Sequence, residues 1–474
     1  MTIDLRVANA KVLTAEGSVD ADVLVDDGVI IGLVGHNVDT TAAQTIDASG
    51  QVLLPGMIDV HVHTREPGYT HKEDITTTTE QAAAGGVTTI FGMPNLDPPT
   101  TTAAALDDVL EMYAQKSIVD YNHNPAATVF DEIPKMVERG IAAFKIYMVV
   151  DTGRTYPHPA GTGMHNHGDI LKVMDTIAPT GLVLIVHPHD QMLMDYIEGD
   201  PLSKGDNTPK AYAEAYAARE GVIWDTACDV IIRLAEAAGC KLHIAHMQTR
   251  RAIDAVRRAK GRGVQVTCEV NHWAPFLSRW EDVERLGPYA LSYWIPDDAR
   301  EAVWEGIEDG TIDILASDHA PHTREEKEIG WDKMWSSHTG TPGIQYQVPL
   351  ALDAALKGKL SFERLVEITS SAPARIFGLD DRKGFIRPGY DADFMLADLD
   401  APWTITNEGV LSRCGWTPYD GRECRAQIQR TFVRGQEVYA DGVVLGKPGM
   451  GRLSGRSERS PQDGKVRSAA TSLR

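Results

Sequence analysis

The chain is 474 residues long; at roughly 150 residues per domain, with single barrels reaching about 250, that length accommodates two or three domains. Hydrophobic residues make up 43% and charged residues 24%, a composition that excludes disordered, collagen-like and coiled-coil chains. The 46 Lys and Arg against 67 Asp and Glu leave a net charge of −21, which argues against nucleic acid or an anionic membrane as partner and favours a small substrate.

The opening stretch places Asp4, Arg6 and Lys11 among short apolar pieces, so it lacks a secretory pattern, and no run of about 18 apolar residues occurs. A cytoplasmic protein is expected. The five cysteines, Cys228, Cys240, Cys268, Cys414 and Cys424, are scattered without CxxC spacing and read as reduced thiols.

Residues 1–52 alternate short β-prone pieces (ADVLVDDG, VIIGLVG, QTIDASG) with Gly and Asp turn signals, which predicts a β-meander. From residue 53 to 384 eight apolar strand-like runs follow: MIDVHVH, VTTIFGM, SIVDYNH, AAFKIYM, LVLIVH, CKLHIAH, VQVTCEV and DILASD. Amphipathic stretches such as RAIDAVRRAKG lie between many of them, so the pattern predicts an α/β fold, a closed (β/α)8 TIM barrel. β pieces return over 385–450 (DADFMLAD, RAQIQRTFVRG, QEVYADGVV), and the two ends are expected to build one small β-sandwich domain. The tail, 451–474, is rich in Ser, Arg and Gly and is expected to be disordered or draped over a neighbouring subunit.

Polar residues stand at the ends of most of the eight strands, where a barrel's active site lies. Strand one ends in His61-Val62-His63, whose alternation puts both imidazoles on one face. Strand four carries Lys145, strand five ends at His187, strand six at His246 and strand eight at Asp318. A lone histidine at a strand end is ordinarily structural, but imidazole, carboxylate and lysine recurring at five strand ends point to a metal site. Such ligands suit Zn²⁺, with Mn²⁺ or Co²⁺ as alternatives. Two metals about 3.5–4 Å apart need an anionic bridge, which a lysine supplies only after its neutral amine has reacted with CO₂.

The run PGMIDVHVHTREPGYTHKEDITTTTEQAAAGGVTTIFGMPN, the strand AFKIYM, the ends at His187 and His246, and ASDHAPHTREEK together resemble the amidohydrolase superfamily. The resemblance is to its cyclic amidohydrolases: dihydroorotase, allantoinase, hydantoinase and dihydropyrimidinase. It implies a binuclear centre of two divalent metal ions, usually zinc, held by His61, His63, carboxylated Lys145, His187, His246 and Asp318. Asp318 is then also the general base, and a small cyclic amide or imide is the substrate. HVHTREPG is most similar to dihydroorotase, which implies substrate contacts from Arg65, Asn95 and His322, with Asn271 added at the end of strand seven. A homo-oligomer, dimer or tetramer, is expected.

Several segments depart from the dihydroorotase pattern and leave hydantoinase, dihydropyrimidinase, allantoinase or cyclic-imide hydrolase open. The usual HAE is His187-Pro188-His189-Asp190 here, the usual HVS is His246-Met247-Gln248, and CEVTPHH is Cys268-Glu269-Val270-Asn271-His272-Trp273. Ser292-Tyr293-Trp294-Ile295-Pro296 stands where NPPLR is usual. His158, His165 and His167 read as a lid, or as an extra metal site. Met192, Leu193 and Met194, with Trp273, Trp280, Trp294, Trp331 and Trp335, read as core or interface rather than pocket. Two rival classes are a non-catalytic scaffold, which incomplete ligands would mark, and a sugar-processing barrel built on paired carboxylates Asp318 and Glu269.

Overall fold

The computed structural model describes residues 2–36, 40–150, 161–289 and 297–455. His158, the 292–296 segment with Trp294, and the tail beyond 455 lie outside the described residues. The N-terminal part forms β1 (Ile3–Thr14), β2 (Gly17–Asp26), β3 (Val29–Val34), β4 (Ala42–Asp47) and β5 (Val52–Pro55). β1 pairs with β2 along one edge and, along the other, with β4 over its first half and β5 over its second, so the sheet forks there. The C-terminal part adds β14 (Phe394–Asp398), β15 (Trp403–Thr404), β16 (Glu423–Cys424), β17 (Gln427–Val433), β18 (Gln436–Ala440) and β19 (Val443–Val444), numbered in chain order after the eight strands of the barrel. β14 runs antiparallel between β5 and β17, which fuses the two chain ends into one nine-stranded sheet. Leu5, Val7, Val12, Val23, Val25, Ile30, Phe394 and Phe432 make its own core.

Between these ends lie β6 (Met57–Val62), β7 (Val87–Gly92), β8 (Asp120–His123), β9 (Ala143–Tyr147), β10 (Val183–His187), β11 (Lys241–Ile244), β12 (Val266–Asn271) and β13 (Ile314–Ala316). They coincide with the eight runs read from the sequence. All pair in parallel, β6-β7-β8 in one ladder and β9 through β13 in another. Single bridges, Ala126 to Lys145 and Val62 to His319, join the two ladders into a closed barrel. The strands are buried almost throughout, as helices on the outside and side chains within require of a parallel barrel. The helix Arg250–Gly261 shows the local logic: Thr249 accepts from the Ala252 amide as N-cap, and Ile253, Val256 and Ala259 turn inward.

A buried ionic knot ties barrel to sheet. Lys383, 1% exposed, donates to Asp120 of β8 at 2.7 Å, lies 3.2 Å from Asp391 and also bonds Asp393. Arg434 reaches Asp120 from the other side, and the Arg434 amide donates to Asp393 at 2.7 Å. The chain then returns to the barrel. Tyr121 N donates to Arg452 O at 3.0 Å, Ser454 N to Tyr121 O at 2.8 Å, and Asn122 Nδ2 to Ser454 O at 2.8 Å. Gly451 permits this approach, since a Cβ there would lie 2.1 Å from the Val119 carbonyl. The disorder expected from residue 451 is therefore corrected for Gly451–Gly455, which are ordered by these backbone bonds.

Lys383→Met should destabilise the fold by about 3–5 kcal/mol, because it strands buried carboxylates without their shared cation. Thermal or urea unfolding measures this, and a loss below about 1 kcal/mol would show that Arg434, together with Arg382, which pairs with Asp391 at 2.8 Å, suffices.

Candidate metal centre

His61 and His63 leave the end of β6 on the same face, both buried. The His61 Nδ1–H donates to the Glu269 carboxylate, and the His63 Nδ1–H donates to Asn95 Oδ1 at 2.7 Å. Each ring thus spends its proton on one side. The two Nε2 atoms face the same oxygen of Asp318, at 3.2 Å from His61 and 3.1 Å from His63. Ligand atoms of His61, His63 and Asp318 all lie within 4.8 Å of one another. Burial pushes the His63 imidazole down to about 4, so its Nε2 presents a lone pair at neutral pH. Burial pushes the Asp318 carboxyl up, but the adjacent His61 and His63 outweigh it and hold the group well below the usual carboxylate range.

Beside this trio, His246 Nε2 and His187 Nδ1 stand 2.7 Å apart, and the His61 and His246 rings are 5.9 Å apart between centroids. Lys145, fully buried in the middle of β9, has no hydrogen-bond partner for its Nζ among the described residues. Burial pushes its ammonium down to about 8, against the pull of the Glu269 and Asp318 carboxylates. The six side chains expected to gather at the barrel mouth are thus brought to one place. Arg65, His246 and Asp318 also hold positive φ, at 60°, 39° and 45°, a strained conformation for residues with a Cβ that concentrates at functional sites.

The four other residues singled out from the sequence divide. Arg65, 3% exposed, donates from Nε to Pro321 O at 3.1 Å and from Nη2 to His322 Nε2 at 3.1 Å. His322 Nδ1 lies 3.4 Å from Glu326 and 3.2 Å from Lys72, and Lys72 pairs with Glu326 at 2.8 Å. The Asn95 carbonyl oxygen is occupied by His63. Asn271 donates to Ala316 O at 3.2 Å, and its Oδ1 has no partner among the described residues.

Glu269 binds His61 with one oxygen and His243 with the other, at 3.2 Å, so it is not half of a free carboxylate pair and the sugar-processing reading is lost. Its role had a signal in the sequence: Glu269 and Asn271 share one face of a period-two strand. His189 is a residue the sequence reading passed over as a departure; it sits 3.0 Å from His187. His167 begins the helix His167–Ile177, capped by Asn166, and both it and His165 are exposed. Met194, Trp273 and Trp335 are core, whereas Met192 is 79% and Trp331 46% exposed. Among the described residues two further groups have metal-gathering geometry, His322-Glu326-His338 and Asp120-Asp391-Asp393. The first is crowded by Lys72, and the second already encloses Lys383.

The amidohydrolase family profile matches residues 52–438. The chain belongs to that family. Among solved structures it is similar to the L-hydantoinase (dihydropyrimidinase) from Arthrobacter aurescens, with a TM-score of 0.91 and 30% identity over 96% of this chain and 100% of that one. It is 35% identical to a dihydroorotase of Halobacterium salinarum, over 88% of this chain and 93% of the relative. It is 34% identical to an allantoinase of Rubrobacter xylanophilus, over 94% and 96% of the respective chains. Membership in the amidohydrolase family implies a binuclear divalent metal centre, and the barrel mouth carries candidate ligands for it. No described helix of this amidohydrolase is long and apolar enough to cross a membrane.

The buried imidazoles set an acid limit. Burial pushes His123, His246 and His272 down to about 3, so the folded chain refuses protons that the unfolded chain takes up near pH 6.5. Stability of the metal-free protein should therefore fall steadily as pH drops from about 6.5 toward 4. Unfolding midpoints measured across that range check it; a flat profile would mean that these rings protonate freely in the fold.

Proposed function

We propose that this chain opens the ring of a small cyclic amide or imide by metal-dependent hydrolysis, with His61, His63, Lys145, His187, His246 and Asp318 as ligands. The observation that carries the ligand set is the convergence of His61 Nε2, His63 Nε2 and an Asp318 oxygen while both Nδ1 protons are held elsewhere. Three electron-rich atoms this close repel unless a cation stands among them. When bound, two divalent ions, zinc in this reading, lower the pKa of water toward roughly 7 and polarise the amide carbonyl.

Lys145 fits the bridging role as a carbamate. With its pKa lowered to about 8, roughly a tenth of the amines are neutral at pH 7, far more than in an ordinary lysine. The neutral nitrogen bonds to the carbon of CO₂ and releases a proton to solvent, which replaces a buried cation without a hydrogen-bond partner by a carbamate whose one negative charge is shared by two oxygens. Asp318, whose carboxyl lies well below the usual carboxylate range, takes the proton of the attacking water and passes it to the leaving ring nitrogen. The ring opens to a carboxylic acid.

The dihydroorotase-like reading gives the substrate a carboxylate held by Arg65. In its support, Arg65 is buried and pairs with no carboxylate within 4.0 Å among the described residues. A hydantoinase-like neutral ring is the second reading. It is favoured by the engagement of Asn95 with His63 and of His322 with Arg65, which occupies two groups meant for that carboxylate. The five buried free thiols support a cytosolic location, and exposed Met192 and Tyr196 support a homo-oligomer. The division into a barrel over 53–384 with flanking parts 1–52 and 385–450 belongs to the same reading.

Wild type should hold about two divalent ions per chain, and Lys145→Ala should lose the pair, recovering in part with a short-chain carboxylic acid. Metal analysis decides this: full occupancy and activity in Lys145→Ala without added acid would remove the carbamate. Arg65→Met should cost about 2–5 kcal/mol in kcat/KM on dihydroorotate and much less on dihydrouracil or hydantoin. Equal losses on both, with wild type preferring the neutral ring, would pass the assignment to the second reading.

A further inference from the structure

The fifth imidazole at the barrel mouth is His189, which follows the β10 ligand position across a single proline. It is fully buried, and its Nδ1 lies 3.0 Å from His187 Nε2. Trp224, from the helix Val222–Ala238, stands edge-on to its ring with centroids 3.9 Å apart, and Tyr216 packs at 6.0 Å. His187 is therefore contacted at both nitrogens: Nε2 by His189, and Nδ1 by His246 Nε2 at 2.7 Å.

A neutral imidazole has one proton for two nitrogens. His187 can offer the Nδ1 lone pair, on the side of His246, only if its proton resides on Nε2. A proton there needs an acceptor in this dry pocket, and the His189 Nδ1 lone pair is the acceptor at hydrogen-bond distance. We propose that His189 is a positioning residue that commits His187 to the tautomer whose Nδ1 ligates the metal. The inference rests on the ligand set proposed above. It extends to β10 the arrangement already seen at β6, where Glu269 and Asn95 take the Nδ1 protons of His61 and His63 so that each Nε2 is left for the cation. The trapped ring of His189 thus replaces a carboxylate or carbonyl as the proton's acceptor, and its packing on Trp224 sets the direction of the bond.

The test measures metal affinity by chelator competition, together with the visible spectrum of the Co²⁺-loaded protein. His189→Phe keeps an aromatic ring against Trp224 but has no acceptor. It should weaken the metal by about 10–100-fold and alter the Co²⁺ spectrum. His189→Glu, which restores an acceptor, should recover most of the affinity. Unchanged affinity in His189→Phe overturns the proposal, and so does equal weakening in both variants, which would make the role one of packing alone. His187→Ala is the control for the underlying reading: unchanged metal content and affinity there would remove His187 from the ligand set, a failure separate from that of His189.

Discussion

Two imidazoles that converge on one carboxylate oxygen organise this molecule. At the mouth of the barrel His61 and His63 turn Nε2 toward Asp318, at 3.2 and 3.1 Å, and their Nδ1 atoms are engaged on the far sides of the rings by Glu269 and Asn95. That geometry is also the seam of the barrel. Asp318 follows the last strand and the two histidines end the first; the His63 amide donates to His319 O at 2.8 Å, and the Ser317 amide donates to Asp59 at 3.1 Å. Closing the fold and assembling the ligands are the same event, so the positive φ of Asp318 is held by the pairing on either side of it.

Outside that convergence, three of the four ligand rings are contacted on their far sides by residues at the ends of β12, β7 and β10. Glu269 of β12 holds His61, Asn95 after β7 holds His63, and His189 after β10 contacts His187. Glu269 is in turn shared with His243 of β11, whose other nitrogen faces Thr267 at 2.8 Å. The parallel barrel suits this because every strand delivers its C-terminal end to the same face, and a side chain from one strand lies within reach of the next. The Arg65 side of the mouth is built differently. There a guanidinium rests on a carbonyl and an imidazole, and the Glu326 carboxylate is spent on Lys72.

The sequence made the barrel legible because its strands are buried on both faces and read as apolar runs, and the ligands legible because they break those runs at their ends. Lys145 stood out for the same reason, as a charge inside AFKIYM. What stayed hidden were contacts that depend on spatial neighbours. Asn95 looked like a substrate contact, yet its oxygen is taken by a histidine 32 residues earlier. His189 looked like a departure from a motif because nothing local shows that Trp224 and Tyr216 will wall it in. His167 carried a metal-ligand residue type in a loop-like composition, but Asn166 is a helix cap and its side chain settles the matter locally. Residues 451–455 were misjudged because composition favours disorder, whereas the gap beside Val119 admits only a glycine.

The ionic knot around Asp120 has a consequence for how the chain is made. Its partners are Lys383, Arg434 and the Arg452 amide, which lie 263, 314 and 332 residues downstream. A ribosome that has delivered the third barrel strand has yet to synthesise any of them. Until those residues emerge, a carboxylate destined for full burial must stay hydrated, and β8 cannot settle into its place. The barrel therefore reaches its native arrangement only after residue 452 has been made, when a segment more than three hundred residues downstream arrives to seal β8.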